Sequence, residues 1–338
     1  MSAAFDLGAP ESAVVASGNN PPITALDPLP LRDGSITIAR LVEFYLANYA
    51  GRDRARRQRL QMWVHRLGHV TLGELSDDHV HVELEQLASR NALYFAGLDA
   101  DGRRVFHEKR HRLAPGTINR YGAALAAVIT WAIKRRIAPK GYVHPCRGVE
   151  RRPEGDGRTR FLSDAERERL LAACRADPWP KLYGLVLMAL TTGARKGELM
   201  GLTWADVDLA RREAYVGRTK NGDPRVLPLV AAVVAELQGF KAGKPDELVF
   251  GAPRDAKRAF SFEEHFVQAV KAARLAGDKV TFHTLRHSCA SYLAKHGATL
   301  LEIADLLGHR QLQVTKRYSH LATSHKAALV ERVLGGIQ

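Results

Sequence analysis

The sequence predicts a mainly helical protein with a small β-sheet, an α+β chain in two parts, the first wholly helical. Three observations predict it. Apolar residues recur at i, i+3, i+4 and i+7 through residues 38–49 and 118–133, the stripe of an amphipathic helix. Strand-like runs flank Asn221-Gly222 in "REAYVGRTKNGDPRVLPL", a strong short signal for a hairpin. Between these regions lies "VERRPEGDGR", residues 149–158, with the Pro, Gly and charge content of an interdomain linker. A chain of 338 residues is long enough for about two domains with real cores.

The elements follow in order. Residues 1–34 are rich in Pro, Gly, Ser and Asn, carry no periodic apolar pattern and read as a disordered tail. Behind Ser35 a first helix places Ile38, Leu41, Val42, Tyr45, Leu46 and Tyr49 on one stripe. A second carries Leu60, Trp63 and Leu67 and ends at Gly68; a third runs from about Val80 to Arg90. The stretch "LDADGRR" reads as a loop leading into the basic "HEKRHR". A long helix from about Thr117 to Arg136 then turns Ile118, Tyr121, Leu125, Val128, Ile129, Ala132 and Ile133 inward. The helical domain is thus expected over 35–148 and the second over 159–338. In the second, "SDAE" at 163–166 is a capping box opening a helix to about Cys174. A buried helix at 182–192 is broken by Gly193, and another helix starts near Lys196. After the hairpin the chain reads as helical from 225 onward, in several segments. The final "SHKAALVERVLGGIQ" is compatible with a short helix carrying Leu329, Val330, Val333 and Leu334 on one stripe, which packing in cis would cover.

Charge narrows the function. The net charge is +14 and the pI about 9.9. It divides as −3 on residues 1–35, +10 on 36–152 and +7 on 153–338, which suggests a long polyanion touching both folded parts; ribosome or membrane-surface binding fits charge alone too. The longest apolar run, "LYGLVLMAL" at 182–190, is far too short to cross a bilayer, and no secretory signal is visible at the N-terminus. Cys146, Cys174 and Cys289 are odd in number and dispersed, which fits reduced thiols in a cytosol better than disulfides or zinc.

The chemistry is concentrated in the second half. "TTGARKGEL" puts Arg195 after a glycine at a helix junction with Glu198 one turn on. Lys220 sits at the hairpin tip, and His283 and Arg286 share a helix face in "TFHTLRHSCASYL". His309 follows Gly308, a helix end, and Tyr318 lies nine residues further. An imidazole and a guanidinium on one face gain little from each other; something anionic must sit against both. A Tyr, two Arg, two His and a Lys suit transfer of a phosphodiester to a tyrosine oxygen. Two guanidiniums can clamp the extra negative charge of the pentacoordinate transition state, while His and Lys move the two protons. Two pairs at HxxxH spacing, His65/His69 and His283/His287, lack the Glu that a zinc protease needs at the second position. Tyr292, six residues past Arg286, turns away from the Arg286 face and reads as core packing.

These motifs, in the order Arg, Glu, Lys, His, Arg, His, Tyr, resemble the tyrosine recombinases of the phage-integrase family, and "TINRY" at 117–121 resembles the last long helix of their core-binding domain. The resemblance covers roughly residues 36–335. It implies a helical core-binding domain before a catalytic domain, together clamping duplex DNA in a C shape, and offers docking of the C-terminal tail on a neighbouring protomer as the alternative to packing in cis. It implies site-specific cleavage and rejoining through a 3′-phosphotyrosine on Tyr318, with Arg195 and Arg286 on the phosphate and Lys220 as general acid. His283 would be base or proton relay, His309 a phosphate hydrogen-bond donor, and Glu198 a support orienting the basic groups. Arg120, Lys134, Arg135, Arg136, Lys109, Arg110 and Arg112 would contact DNA. No cofactor and no metal are expected, and no membrane. The expected partners are double-stranded DNA, three further copies of the chain at the synapse, a monomer in free solution, and accessory DNA-bending proteins. The expected setting is the cytoplasm, at the nucleoid, in a bacterial or phage context. Residues 1–34 are too short and Pro-rich for the family's arm-binding domain, which points to the simpler two-domain type. A type IB topoisomerase-like enzyme or a non-catalytic regulator on the same scaffold would share much of this pattern.

Overall fold

The computed structural model describes residues 32–51, 53–99, 101–155, 160–217, 224–240, 243–309, 311–322 and 330–335. They form two compact units that divide between residues 155 and 156.

In the first unit, helices α1 (Ile38–Ala47), α2 (Arg56–Leu67), α3 (Asp77–Ser89) and α4 (Pro115–Lys134) surround one core. Thr37, not Ser35, caps α1: its hydroxyl accepts the Arg40 amide, while Ser35 bonds to Asp33. Leu41, Leu60, Trp63, Leu125 and Ile129 are fully withdrawn from water. The Trp63 indole N–H donates to the Tyr121 carbonyl at 3.0 Å, so the ring is buried without an unpaired donor. Ile133, expected inside, is 38% exposed, whereas its neighbour Ala132 and, past the helix end, Ile137 are fully buried in the core.

The segment read as a loop and a basic stretch is instead an antiparallel hairpin, β1 (Asn91–Leu98) and β2 (Arg104–Arg112). The Asp99 carboxylate accepts the Asp101 and Arg103 amides, and Gly102 takes the left-handed φ of +76° that closes the turn. The strands escape a periodicity reading because neither face has a core to alternate against. Tyr94 and Phe95 are about half exposed.

In the second unit, α5 (Asp164–Arg175) opens on the expected capping box of Ser163 and Glu166. Helix α6 (Leu182–Thr192) is buried almost all round, packed by α5 and by α8 (Ala231–Gly239) and α10 (Phe282–Lys295). The helix expected near Lys196 is a single turn, α7 (Lys196–Leu199). Strands β3 (Val207–Asp208), β4 (Glu213–Val216) and β5 (Arg225–Pro228) form an antiparallel sheet in that order. The hairpin is therefore present, with Val216 opposite Arg225; its tip, including Asn221, Gly222 and Lys220, lies outside the described residues. A further small hairpin, β6 (Gly251–Ala252) and β7 (Asp255–Ala259), interrupts the region expected to be helical. Helices α9 (Glu263–Ala272) and α11 (Leu300–Leu307) and a 3-10 segment, Lys316–Ala322, complete the unit. Of the C-terminal stripe, Leu329 lies outside the described residues, and Val330, Val333 and Leu334 are exposed.

Candidate active site

Three helix ends converge on the site. Helix α6 stops at Gly193 (φ +63°) and α11 at Gly308 (φ +65°), both in the left-handed conformation that glycine adopts without strain. A helix end leaves carbonyls without intrahelical partners and concentrates partial negative charge there. Arg286, on the second turn of α10, meets both needs: one Nη donates to the Gly193 carbonyl and the other to that of Leu307, each at 2.7 Å. The guanidinium is buried and locked between two helix ends. Burial and the nearby Arg195 and Arg225 push its pKa down to about 10, so it remains a cation at neutral pH.

Arg195 precedes α7, and its backbone N–H donates to Glu198 at 2.8 Å. Its guanidinium donates to the Glu198 carboxylate at 2.8 Å and to the Gly308 carbonyl at 3.3 Å. Glu198 is buried and also accepts two hydrogen bonds from Arg225 of β5, at 2.8 and 3.3 Å. Burial alone would raise the Glu198 pKa; the Arg195 amide and guanidinium and the Arg225 charge outweigh it and hold the carboxyl below its ordinary value. A buried carboxylate between two guanidiniums ties α7 to the sheet.

The histidines are kept neutral. Partial desolvation, then Arg286, Arg195 and Arg317, lower the His283 pKa. The same causes push His309 to about 4. Its Nδ1 lies 2.8 Å from the hydroxyl of buried Thr315; accepting that proton leaves Nε2 as the donor. Tyr318 is 2% exposed and packs on Ala290, Ala294, Ile303 and Leu307. Burial raises its pKa, against the pull of Arg317 and Arg286, so the phenol is protonated at neutral pH. Its hydroxyl lies 2.5 Å from His287 Nδ1.

Arg195, His283, Arg286, His309 and Tyr318 line one pocket of about 350 Å³, with His287 and Arg317. Glu198 stands behind Arg195, and Lys220 lies outside the described residues. His287 and Arg225 are additions to the expected set. His287 had a signal, since it lies four residues from His283 on the same face; Arg225 had none, being 27 residues from the carboxylate it clamps. Tyr292 is not core: it is half-buried against α5, bonded to Asp164 and stacked under Arg167 at 4.4 Å. Arg120, Lys134, Arg135, Arg136, Lys109, Arg110 and Arg112 are all exposed, on α4, at its C-terminal end and on β2.

The fold has counterparts among solved structures. An integrase of the Tn1549 transposon, solved with transposon right end DNA, superposes with a TM-score of 0.65 at 18% identity, over 89% of this chain and all of that one. A lambda integrase tetramer bound to a Holliday junction gives 0.62 at 15% identity, over 86% and 80%. At those identities the likeness is one of fold. In sequence, residues 160–325 match the phage integrase family. The chain is 30% identical over 251 residues to tyrosine recombinase XerC 2 of Ralstonia nicotianae, covering 69% of this chain and 70% of that protein. It is 30% identical over 179 residues to the shufflon-specific DNA recombinase of Escherichia coli, covering 53% of this chain and 44% of that protein. With tyrosine recombinase XerA of Thermococcus kodakarensis it shares 31% over 160 residues, covering 45% and 57%. The chain thus spans about half the length of these last two relatives. It belongs to the phage integrase family of tyrosine recombinases.

Proposed function

We propose that the chain cuts and rejoins duplex DNA at specific sites through a covalent 3′-phosphotyrosine on Tyr318. One observation carries the reading: Tyr318 lines the same pocket as two guanidiniums that are already anchored. A phosphodiester placed there meets its charge stabilisers in position, the arrangement that costs no reorganisation at the transition state. Arg195 and Arg286 hold the non-bridging oxygens, and His309 donates from Nε2. Lys220 protonates the departing 5′ oxygen, with His283, which lines the pocket, as a proton relay. Glu198 orients Arg195. The exposed basic residues of the first unit contact the DNA backbone, and residues 35–148 act as its binding domain, joined by 149–158 to the catalytic domain.

The relatives' names and the DNA complexes among the structural neighbours support this reading, and the tetramer on a Holliday junction supports four protomers joining two sites. The chain would act in the cytoplasm, at the nucleoid; among the described residues no helix is long and apolar enough to cross a membrane.

The test uses a duplex selected from a random-sequence pool for binding by the full chain. It is nicked so that the released fragment diffuses away after cleavage. The wild type should form a denaturant-resistant adduct on a DNA 3′ end, and Tyr318→Phe should bind without forming one. Mass spectrometry placing the nucleotide on another residue would overturn the proposal.

A further inference from the structure

Tyr318 must lose its phenolic proton as it attacks, and the residue against its oxygen is His287. The Oη–Nδ1 separation is 2.5 Å. His283, the residue that the family pattern offers as base, stands one turn earlier on α10, and its ring meets that of His287 edge to face at 4.7 Å and 85°. The phenol thus touches the second histidine of the pair, and the first flanks it. Nδ1 can accept the phenolic proton only if the imidazole is neutral with its own proton on Nε2. Burial first, then His283 on its own helix, Arg317 beside Tyr318 and Arg286, oppose a positive imidazole and take its pKa to about 4, so the ring is neutral at neutral pH.

We propose that His287 is the general base for the strand-cleaving step. This rests on the phosphotyrosine reading and deepens it. The Tyr318 Oη–phosphorus bond forms and the phosphorus–O5′ bond breaks. The phenolic proton passes to His287 Nδ1, making an imidazolium, and the 5′ oxygen takes its proton from the general acid, Lys220. The imidazolium then lies beside the extra negative charge of the phosphorane, which offsets the nearby guanidiniums that disfavour it in the free protein. Rejoining runs the same transfers backward, with His287 returning the proton to the phenolate as it leaves.

Two substitutions separate a base from a positioning group. Asn at 287 can still accept the phenolic hydrogen bond near the place of Nδ1 but cannot take the proton; Ala can do neither. On the selected nicked duplex, both His287→Ala and His287→Asn should slow adduct formation by about 10²-fold or more, the scale for losing a general base. Binding of the duplex should change little. Replacing the bridging 5′ oxygen by sulfur, which leaves without an acid, should not restore either variant. An Asn variant within a few-fold of wild type, or rescue by sulfur, would overturn the proposal. A second readout needs no cleavage and no folded variant at 287. In the DNA-free full chain, nitrogen NMR should show His287 with its proton on Nε2, and Tyr318→Phe should shift the Nδ1 resonance. A proton on Nδ1 would overturn the base role whatever the kinetics. Wild type that forms no adduct, with the expected tautomer present, would count against the phosphotyrosine reading instead.

Discussion

Arg286 and Arg195 sit in one pocket but are held differently, and the difference is testable. Arg286 satisfies two helix-end carbonyls from a buried position, whereas the Arg195 side chain is about one-third exposed and shares its carboxylate with Arg225. Either change to Ala should reduce adduct formation by on the order of 10²–10³, the scale for one preorganised donor. Only Arg286→Ala should also lower unfolding stability clearly, by roughly 1–3 kcal/mol for each carbonyl left unpaired, measured in urea. Because the charge stabilisers we propose are side chains, adduct formation should persist in excess EDTA; loss that Mg²⁺ reverses would contradict the assignment. The histidines give a pH signature. His287 and His309 have folded pKa values of about 4 against an ordinary 6.5, so between those values the unfolded chain binds more protons. Their contribution to stability is complete above pH 6.5 and is lost as pH falls toward 4. Urea midpoints across that window should fall with pH, and His309→Asn should flatten the fall.

At the scale of elements, the two left-handed glycines set the pocket's walls. A Cβ on Gly308 would overlap the Arg225 guanidinium, and a Cβ on Gly193 would overlap the Leu307 side chain. Each position also carries the left-handed penalty of about 1–2 kcal/mol for a residue with a Cβ. Gly308→Ala should therefore cost stability and activity together, but activity further, because Arg225 must move and Glu198 and Arg195 depend on it. An activity loss no larger than the stability loss predicts would detach Arg225 from the site. Much of this was legible in the chain: the capping box at Ser163, the break at Gly193, the shared face of His283 and Arg286, and the glycine before His309. What was hidden has physical causes. Strands β1 and β2 have no core face, so no alternation marks them. The helix expected from Lys196 is the single turn α7, and four residues carry no period from which its end could be read. The Arg225–Glu198 bridge joins a strand to a helical turn, and pairs distant in sequence leave no local pattern. His287 was visible at helical spacing from His283, but its neighbour across the fold, Tyr318, is 31 residues away.

For the whole molecule the governing quantity is charge, +10 on residues 36–152 and +7 on 153–338. In the first unit exposed cations occur on α2, on β2, on α4 and just past the end of α4. Binding built from such contacts releases counterions, so affinity should fall steeply with salt, the logarithmic slope growing by roughly 0.9 for each phosphate neutralised. Hairpin β1–β2 provides the sharpest test, because it projects basic side chains without a core of its own to maintain. In the full chain, Lys109→Gln, Arg110→Gln and Arg112→Gln together should reduce that slope by about 2–3 if each meets a phosphate. All three side chains are exposed, so the melting temperature should hold. The adduct rate on saturating DNA should also hold, because these residues stand outside the pocket. The same triple change at Lys134, Arg135 and Arg136 measures the other end of the unit. A slope unchanged by the β2 substitutions would remove the hairpin from the DNA interface and leave the helices of the first unit to carry it.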